Sequence, residues 1–543
     1  MDKSGLWKDY CSFYEKRFSD QIESNRKRME RLFEKWKKTA LCRALCQETP
    51  HSIKDVPVTT YGDYPMLSEF GRRMTSLRDK TPRIREELSD DYYNRISHEM
   101  GSSLNTYMSE PYYLCMMTTG TTGKSKWIAH GEPYWNNFVA DNVASAVIAC
   151  SEEWGETRLR RGDRSLNITA PVPYMSGWGA IAWHESGFGL IPPIEVADTL
   201  GPRERYFLML KLLQKGQDVA IGAGVGSTFY MIVKYLLDPE EFYEEYWDSM
   251  SFGLRKVLLS FKLLQCKLKG KDKRRARDLL PLKGIMVGGT EAQLYIDFFR
   301  KEFGLEPFHG YGSTEAGTVL GGVPDRKTDL LPNLRSAYLE FKDRDGEMRE
   351  VNDLKRGETY ELVVTPFGSI VFRYDMEDLL RVIDFGDDGM PVFAFEGRNG
   401  MMIRLSSPYI VSPTIIVQAL YRAGLRSSDK WAVAKLPEPR EHLHFLMEKT
   451  WPYSERQAEQ IIFKSLVEGD KAILQRGDTL TDYIADFGIK NPSDVVRVEY
   501  LKPGAFLRYS MIKAKMGSPL GQYKPPKIIP TEKMEIYDTL RSA

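Results

Sequence analysis

Nine consecutive residues, Thr118-Thr119-Gly120-Thr121-Thr122-Gly123-Lys124-Ser125-Lys126, combine small hydroxyls, glycines and lysines. They follow the apolar run Tyr113-Leu114-Cys115-Met116-Met117, which predicts a strand. A loop of this kind at a strand end offers N–H and O–H groups to phosphate oxygens. Its glycines permit close backbone approach, and its lysines add positive charge. Gly123-Lys124-Ser125 has the ending of a Walker A loop, but that pattern requires glycine five positions before Gly123, where Thr118 stands. The stretch therefore reads as a phosphate-binding loop of another type.

The loop resembles that of the adenylate-forming ligases, a Ser/Thr-Ser/Thr-Gly-Ser/Thr-Ser/Thr-Gly run ending in a lysine, with Lys126 at the lysine position. Phe308-His309-Gly310-Tyr311-Gly312-Ser313-Thr314-Glu315-Ala316-Gly317 resembles the Tyr-Gly-x-Thr-Glu motif of the same ligases. The resemblance implies that Tyr311 stacks on adenine, that Gly312 and Ser313 lie beside the nucleotide, that Thr314 contacts the α-phosphate and that Glu315 holds Mg²⁺. A carboxylate suits that hard cation. Val287-Gly288-Gly289-Thr290-Glu291 is similar to the Gly-Gly loop along the adenine.

A third stretch resembles the GH3 branch, the acyl-acid amido synthetases. It runs from Tyr338-Leu339-Glu340-Phe341 through Tyr360-Glu361-Leu362-Val363-Val364-Thr365 to Phe372-Arg373-Tyr374-Asp375-Met376-Glu377-Asp378. The branch pattern ends Arg-Tyr-Arg-x-Gly-Asp, so Asp375 replaces an arginine and Glu377 a glycine. Asp378 is implied to accept both ribose hydroxyls, as an ionised carboxylate can. Arg398, in Gly397-Arg398, is implied to reach ribose or phosphate, and Asn399 stands where many relatives have a hinge aspartate. Gly521-Gln522-Tyr523-Lys524-Pro525-Pro526-Lys527 resembles the GH3 Asn-Gln-Tyr-Lys-x-Pro-Arg segment, which gives Lys524 as a lysine that neutralises charge during adenylation. Ala170-Pro171-Val172-Pro173-Tyr174-Met175-Ser176-Gly177-Trp178 and Ile221-Gly222-Ala223-Gly224 correspond in order to an acid pocket, with Tyr174, Trp178 and Gly224 as candidates. Trp178 and Trp183 serve equally well as core residues.

The elements that must position these residues follow from periodicity and punctuation. A chain of 543 residues exceeds what one core usually serves, so more than one core unit is expected. Met29, Leu32, Phe33, Trp36 and Leu41 are spaced as on one long amphipathic helix within residues 1–50. From about residue 110, short apolar runs alternate with helical stretches. Strands are expected at 166–172, 284–287 and 360–365, which predicts an α/β fold. The expected organisation is a helical segment at 1–109 packed on an adenylate-forming core at 110–397. Together these make a large domain of helix-covered sheets, followed by a small mobile α+β domain at 398–543.

Lys plus Arg is 76 and Asp plus Glu is 75, giving a net charge of +1 and no electrostatic case for nucleic acid or an anionic membrane. The basic run at 267–275 reads as a solvated surface. Six cysteines are too few for a disulfide framework, and no second Cys/His pair completes a zinc site with Cys42 and Cys46. No apolar signal core and no membrane span stand out, so a cytoplasmic monomer or homodimer is expected. The resemblance implies ATP and Mg²⁺ as cofactors, a small carboxylic acid as substrate, and an amine or amino acid as acceptor. The first half is also similar to the phenylacetate–CoA ligase branch, which makes CoA the alternative co-substrate. A catalytically weak nucleotide-binding homologue is the third alternative, motivated by Asp375 and Glu377.

Overall fold

The computed structural model describes residues 5–80, 98–118, 125–170, 172–197, 200, 202–240, 275–289, 292–406, 409–425, 430–449, 451–471, 479–506, 508–509, 512 and 527–542. Thr119, Gly120, Thr121, Thr122, Gly123, Pro171, Thr290, Glu291, Lys524 and most of the basic run lie outside the described residues.

Two strands, β1 (Tyr112–Met117) and β2 (Trp127–Gly131), form an antiparallel pair on either side of the candidate phosphate loop. Next come β3 (Arg164–Leu166), β4 (Gly189–Ile191), β5 (Ile221–Val225), β6 (Gly284–Gly288) and β7 (Phe308–Ser313). These pair in parallel in the order β4-β3-β5-β6-β7. Helices Glu132–Ala149, Pro202–Gln214, Gly226–Leu237 and Ile296–Phe303 supply buried side chains around them, as a parallel sheet requires.

The sheet continues antiparallel through β8 (Gly317–Val323) and β9 (Arg326–Pro332). The remaining strands of the large sheet are β10 (Ala337–Lys342), β11 (Met348–Glu350), β12 (Thr359–Pro366), β13 (Tyr374–Phe385) and β14 (Pro391–Arg398). Their order from β9 is β14-β13-β12-β10-β11, and β9 meets β14 at Leu330 opposite Phe393. This is the expected α/β architecture. The strand expected at 166–172 lies earlier instead: β3 covers Arg164–Leu166 and shares only Leu166 with that stretch. Asn167 instead bonds loop carbonyls, with its backbone N–H on Ile191 and its side-chain amide on Pro192, and Pro171 and Pro173 have no N–H to extend a ladder.

The N-terminal fifty residues form three helices rather than one: Gly5–Cys11, Phe18–Trp36 and Ala40–Leu45. Thr39 starts the third by accepting the Cys42 N–H on its hydroxyl, while its own N–H and O–H donate to the Trp36 carbonyl at the end of the second. The apolar stripe is as expected, since Met29, Leu32, Phe33, Trp36 and Leu41 are all buried. Trp36 stacks on Phe372 with ring centroids 4.0 Å apart, so this helix braces the segment that leads into β13. The buried Asn25 amide donates to the carbonyls of Leu334 and Ala337 at 2.6 and 2.8 Å, fixing the start of β10.

After β14 the chain forms a hairpin of β15 (Ile403–Arg404) and β16 (Ile410–Val411). A second sheet contains β17 (Trp431–Leu436), β18 (His442–Glu448), β19 (Val496–Leu501) and β20 (Ile528–Ile529), in the order β19-β18-β17-β20. Helices Pro413–Arg422 and Glu455–Lys471 pack with it. The buried cluster there includes Ile416, Val433, Phe445, Ile462 and Val496, and among the described residues it contains none before Ile403.

Candidate active site

The hairpin β1–β2 closes on itself just where the hydroxyl-rich loop leaves it. Thr118 N–H donates to the Lys126 carbonyl at 2.9 Å, and Lys126 N–H donates to the Thr118 hydroxyl at 2.9 Å. The loop between them is thus anchored at both ends by one residue pair. The Lys126 ammonium donates to the Tyr374 hydroxyl at 3.2 Å and lies 5.4 Å from the Tyr61 ring centroid. Tyr61 in turn accepts the Trp127 N–H at 3.3 Å. Two aromatic rings therefore aim the lysine from opposite ends of the sequence.

The Tyr311–Glu315 stretch spans the end of β7 and the turn into β8. Gly312 admits no side chain, since a Cβ there would stand 2.8 Å from the Gly317 carbonyl. The Ser313 hydroxyl accepts the Ala316 N–H at 3.1 Å, and the Thr314 carbonyl accepts the Tyr134 hydroxyl at 3.2 Å. The turn is pinned from within and from the helix Glu132–Ala149. Glu315 is 7 % exposed. Burial raises its pKa above the ordinary glutamate range, against a backbone N–H and the charges of Lys126 and Arg398, while Asp378 adds to the rise. Glu315 therefore shares its surroundings with Lys126, Arg398 and Asp378.

Asp378 lies where the ladders on both sides of β13 are irregular, opposite Arg398 of β14. One carboxylate oxygen accepts the Tyr311 hydroxyl at 2.5 Å and the other accepts Arg398 Nε at 3.3 Å. Burial raises the Asp378 pKa, and Arg398 and the Tyr311 hydroxyl pull it back. The Tyr311 hydroxyl is held protonated by burial and by Asp378, so it is a donor here. Its ring stacks on Phe395 with centroids 5.5 Å apart.

The two departures from the GH3 pattern have distinct settings. Asp375 pairs with Lys342 at 2.8 Å, whereas Glu377 is exposed. The preceding Arg373 is buried, makes a bidentate pair with Glu340 at 2.8 and 2.9 Å, and donates to the Val56 carbonyl. The glutamate of the Tyr-x-Glu-Phe strand thus secures the entry to β13.

The other expected residues take up varied positions. Gly288 ends β6, and Gly289 follows it with φ +96°, close to Val225. Tyr174 is 8 % exposed and bridges to Met117 at the end of β1. Trp178 is packed against Trp135, with its indole N–H on the Cys115 carbonyl at 3.0 Å, so its ring fills the interior. Gly224 lies against Ile168, where a Cβ would come within 2.5 Å of Cδ1. Sequence reasoning missed Tyr61, Tyr374, Phe395 and Lys342. Tyr374 lies inside the motif that led to Asp378, but Tyr61 carries no local signal, because its link to Lys126 spans 65 positions of sequence. Among the described residues no group of three or more His, Cys, Asp or Glu side chains is placed to hold a metal ion by itself.

No curated protein matches the sequence. Residues 330–398 match the GH3 family central domain. Among solved structures, the chain is similar to the GH3.15 acyl acid amido synthetase in complex with 2,4-DB, at 17 % identity and a TM-score of 0.65, covering 100 % of this chain and 97 % of that one. A second structure of GH3.15 acyl acid amido synthetase gives 17 % identity and a TM-score of 0.59, over 99 % and 94 % of the two chains. A 2-hydroxyisobutyryl-CoA ligase in the postadenylation state has 14 % identity and a TM-score of 0.47, over 88 % of each chain. The chain thus carries a GH3 central domain within the fold of the GH3 acyl acid amido synthetases.

Proposed function

We propose that this protein is an ATP-dependent acid ligase that forms an acyl-adenylate and transfers the acyl group to an amine or amino acid. The observation that carries the reading is the meeting of Lys126, Tyr311, Glu315, Asp378 and Arg398, from five separate strands or turns, in a GH3-type fold. In the first step a carboxylate oxygen of the acid attacks the α-phosphorus of ATP and pyrophosphate leaves. In the second, the amine attacks the acyl carbonyl, AMP leaves and an amide forms. Positioning and neutralisation of charge supply most of the acceleration.

In this reading residues 118–126 bind phosphate oxygens, and the Lys126 ammonium neutralises charge on them. Thr314 lies at the α-phosphate, and Gly288, Gly289, Gly312 and Ser313 line the nucleotide. Asp378 takes the ribose hydroxyls, while Arg398 and the Tyr311 hydroxyl orient its two oxygens. Glu315 fits Mg²⁺ as its one carboxylate ligand, because Mg²⁺ in nucleotide sites is commonly shared between one or two carboxylates and the substrate phosphates. When bound, Mg²⁺ would neutralise developing phosphate charge. Lys524 is assigned to the same step. Tyr174 and Gly224 are assigned to the acid. The division into a large body at 1–397 and a small mobile unit at 398–543 belongs to the same reading, supported by the separate buried cluster after Ile403. So does a cytoplasmic monomer or homodimer; among the described residues no helix is long and apolar enough to cross a membrane.

Acid-dependent ATP–pyrophosphate exchange, measured over aryl, indolyl and fatty carboxylates with Mg²⁺, tests the first step. Exchange with some acid, absent in Asp378→Ala, is the expected result. ATP binding without exchange for any acid would sink the ligase reading in favour of a nucleotide-binding homologue. An acceptor panel then tests the second step: amide formation without CoA is expected, and thioester formation alone would move the reading to an acyl-CoA ligase.

A further inference from the structure

Glu361 on β12 stands opposite Leu379 and Val363 opposite Asp375, so residues 376–378 bulge out of β13. Glu377 inside the bulge has φ +57°, a conformation costly for a residue with a side chain, and Asp378 follows directly. A segment of this kind does not by itself fix the two oxygens of Asp378.

Tyr311 and Arg398 each hold one of those oxygens, and the side chains around the bulge restrain the backbone that carries them. One oxygen of Asp375 accepts the Glu377 N–H at 2.8 Å, and the other accepts the Lys342 ammonium at 2.8 Å. Lys342 lies equally 2.8 Å from Glu361, whose second oxygen accepts the Asn399 amide at 3.3 Å. Asn399 follows Arg398, which donates to Asp378, and its own oxygen accepts from Arg404 at 3.3 Å. The contacts thus run from Asp375 through Lys342, Glu361 and Asn399 back to Asp378, enclosing the bulge. Asp375 and Glu361 each have side chains 11 % exposed, and Lys342 27 %. Burial disfavours the ammonium, yet the two carboxylates hold its pKa above the ordinary lysine value.

We infer that Lys342 and Asp375 are positioning residues for nucleotide binding: they clamp the β13 bulge so that Asp378 presents both oxygens to the ribose diol. Asp375 stands where the GH3 pattern has an arginine, and Lys342 is the counter-charge that makes a carboxylate serviceable there. The inference rests on the reading of Asp378 as the ribose acceptor. Neither residue needs to touch the nucleotide.

The test is calorimetric titration with ATP and with AMP, together with hydrogen exchange over residues 374–380, for wild type, Asp375→Asn, Lys342→Met and Lys342→Arg. Asp375→Asn and Lys342→Met are expected to exchange faster in that segment and to bind ATP about tenfold more weakly, with Lys342→Arg within about twofold of wild type. In an Asp378→Asn background, Asp375→Asn should weaken binding further by less than about twofold, because the group it positions is gone. Melting temperatures guard against general unfolding, and the exchange rate of the β17–β20 sheet is an internal control. Unchanged exchange in the bulge, or faster exchange with unchanged affinity, overturns the inference. So does an equal loss in the Asp378→Asn background. A wild type that does not bind ATP overturns the reading of Asp378 and this inference with it, whereas normal wild-type binding with unaltered variants overturns this inference alone.

Discussion

Glu315 is a buried carboxylate whose charged neighbours are Lys126, Arg398 and a second carboxylate, Asp378. Its pKa is raised by burial, so the native state holds the proton more tightly than the unfolded chain does. Stability from this group is therefore fullest at low pH and declines as pH rises from the ordinary glutamate range through the raised native value. Glu315→Gln removes the ionisation and keeps the shape. The variant is expected to melt above wild type at pH 8 and to lose that advantage near pH 4.5, while pyrophosphate exchange falls by ~100-fold or more. Parallel thermal melts at the two pH values check the sign. A variant that melts at or below wild type at pH 8 would show that the ionised carboxylate is stabilised where it sits. A gain in stability on losing a charged site residue is what a site preorganised for a cation entails.

At the scale of elements, the helix Phe18–Trp36 is the part of the N-terminal segment that bears on the site. Trp36 is 2 % exposed, its ring centroid lies 4.0 Å from that of Phe372, and its indole N–H has no hydrogen-bond partner among the described residues. Trp36→Ala is expected to cost ~3–5 kcal/mol in urea unfolding, since it removes a large buried ring beside Arg373 and Tyr374. Trp36→Phe keeps the stack and removes an unpaired donor, so it should cost much less. Equal losses in the two variants would mean that the ring stack contributes little. This apolar stripe was legible in the sequence because Met29, Leu32, Phe33 and Trp36 repeat at helical spacing, but the breaks around the helix were not, because Thr39 caps by a local hydrogen bond. Similarly, Tyr311 through Glu315 could be found from their order in one turn. The partners Tyr61, Phe395 and Lys342 could not, because strand register and the bulge in β13 bring them in from distant positions. The place of Trp178 depended on which face of the helix Met175–Glu185 met β1, and its nearly uniform apolar surroundings in sequence do not encode that.

Across the whole molecule, two buried cores meet near the end of β14. The helix Pro413–Arg422 lies against that strand: the Thr414 hydroxyl donates to the Phe395 carbonyl at 3.4 Å, and Tyr421 meets Tyr295 edge-on at 6.1 Å. Gly397 is at the centre of this contact. It has φ +129°, and a Cβ there would stand 2.9 Å from Pro413 Cδ, with Arg398 the next residue. Gly397→Ala is thus strained twice, by its backbone conformation and by the proline ring, and should lose ~1–3 kcal/mol of stability. Its effect on the reaction separates two roles for the junction. If the unit after residue 398 turns between adenylation and acyl transfer, an obstruction at Gly397 should slow amide formation from preformed acyl-AMP by more than it slows pyrophosphate exchange. If the junction serves only to hold Arg398 against Asp378, both half-reactions should fall together, and binding of ATP should weaken with them. Single-turnover transfer and exchange, measured on one preparation of the variant, distinguish these outcomes. The first is expected, because the alanine methyl points at the helix of the C-terminal core, whereas the Asp378–Arg398 pair is made on the strand itself.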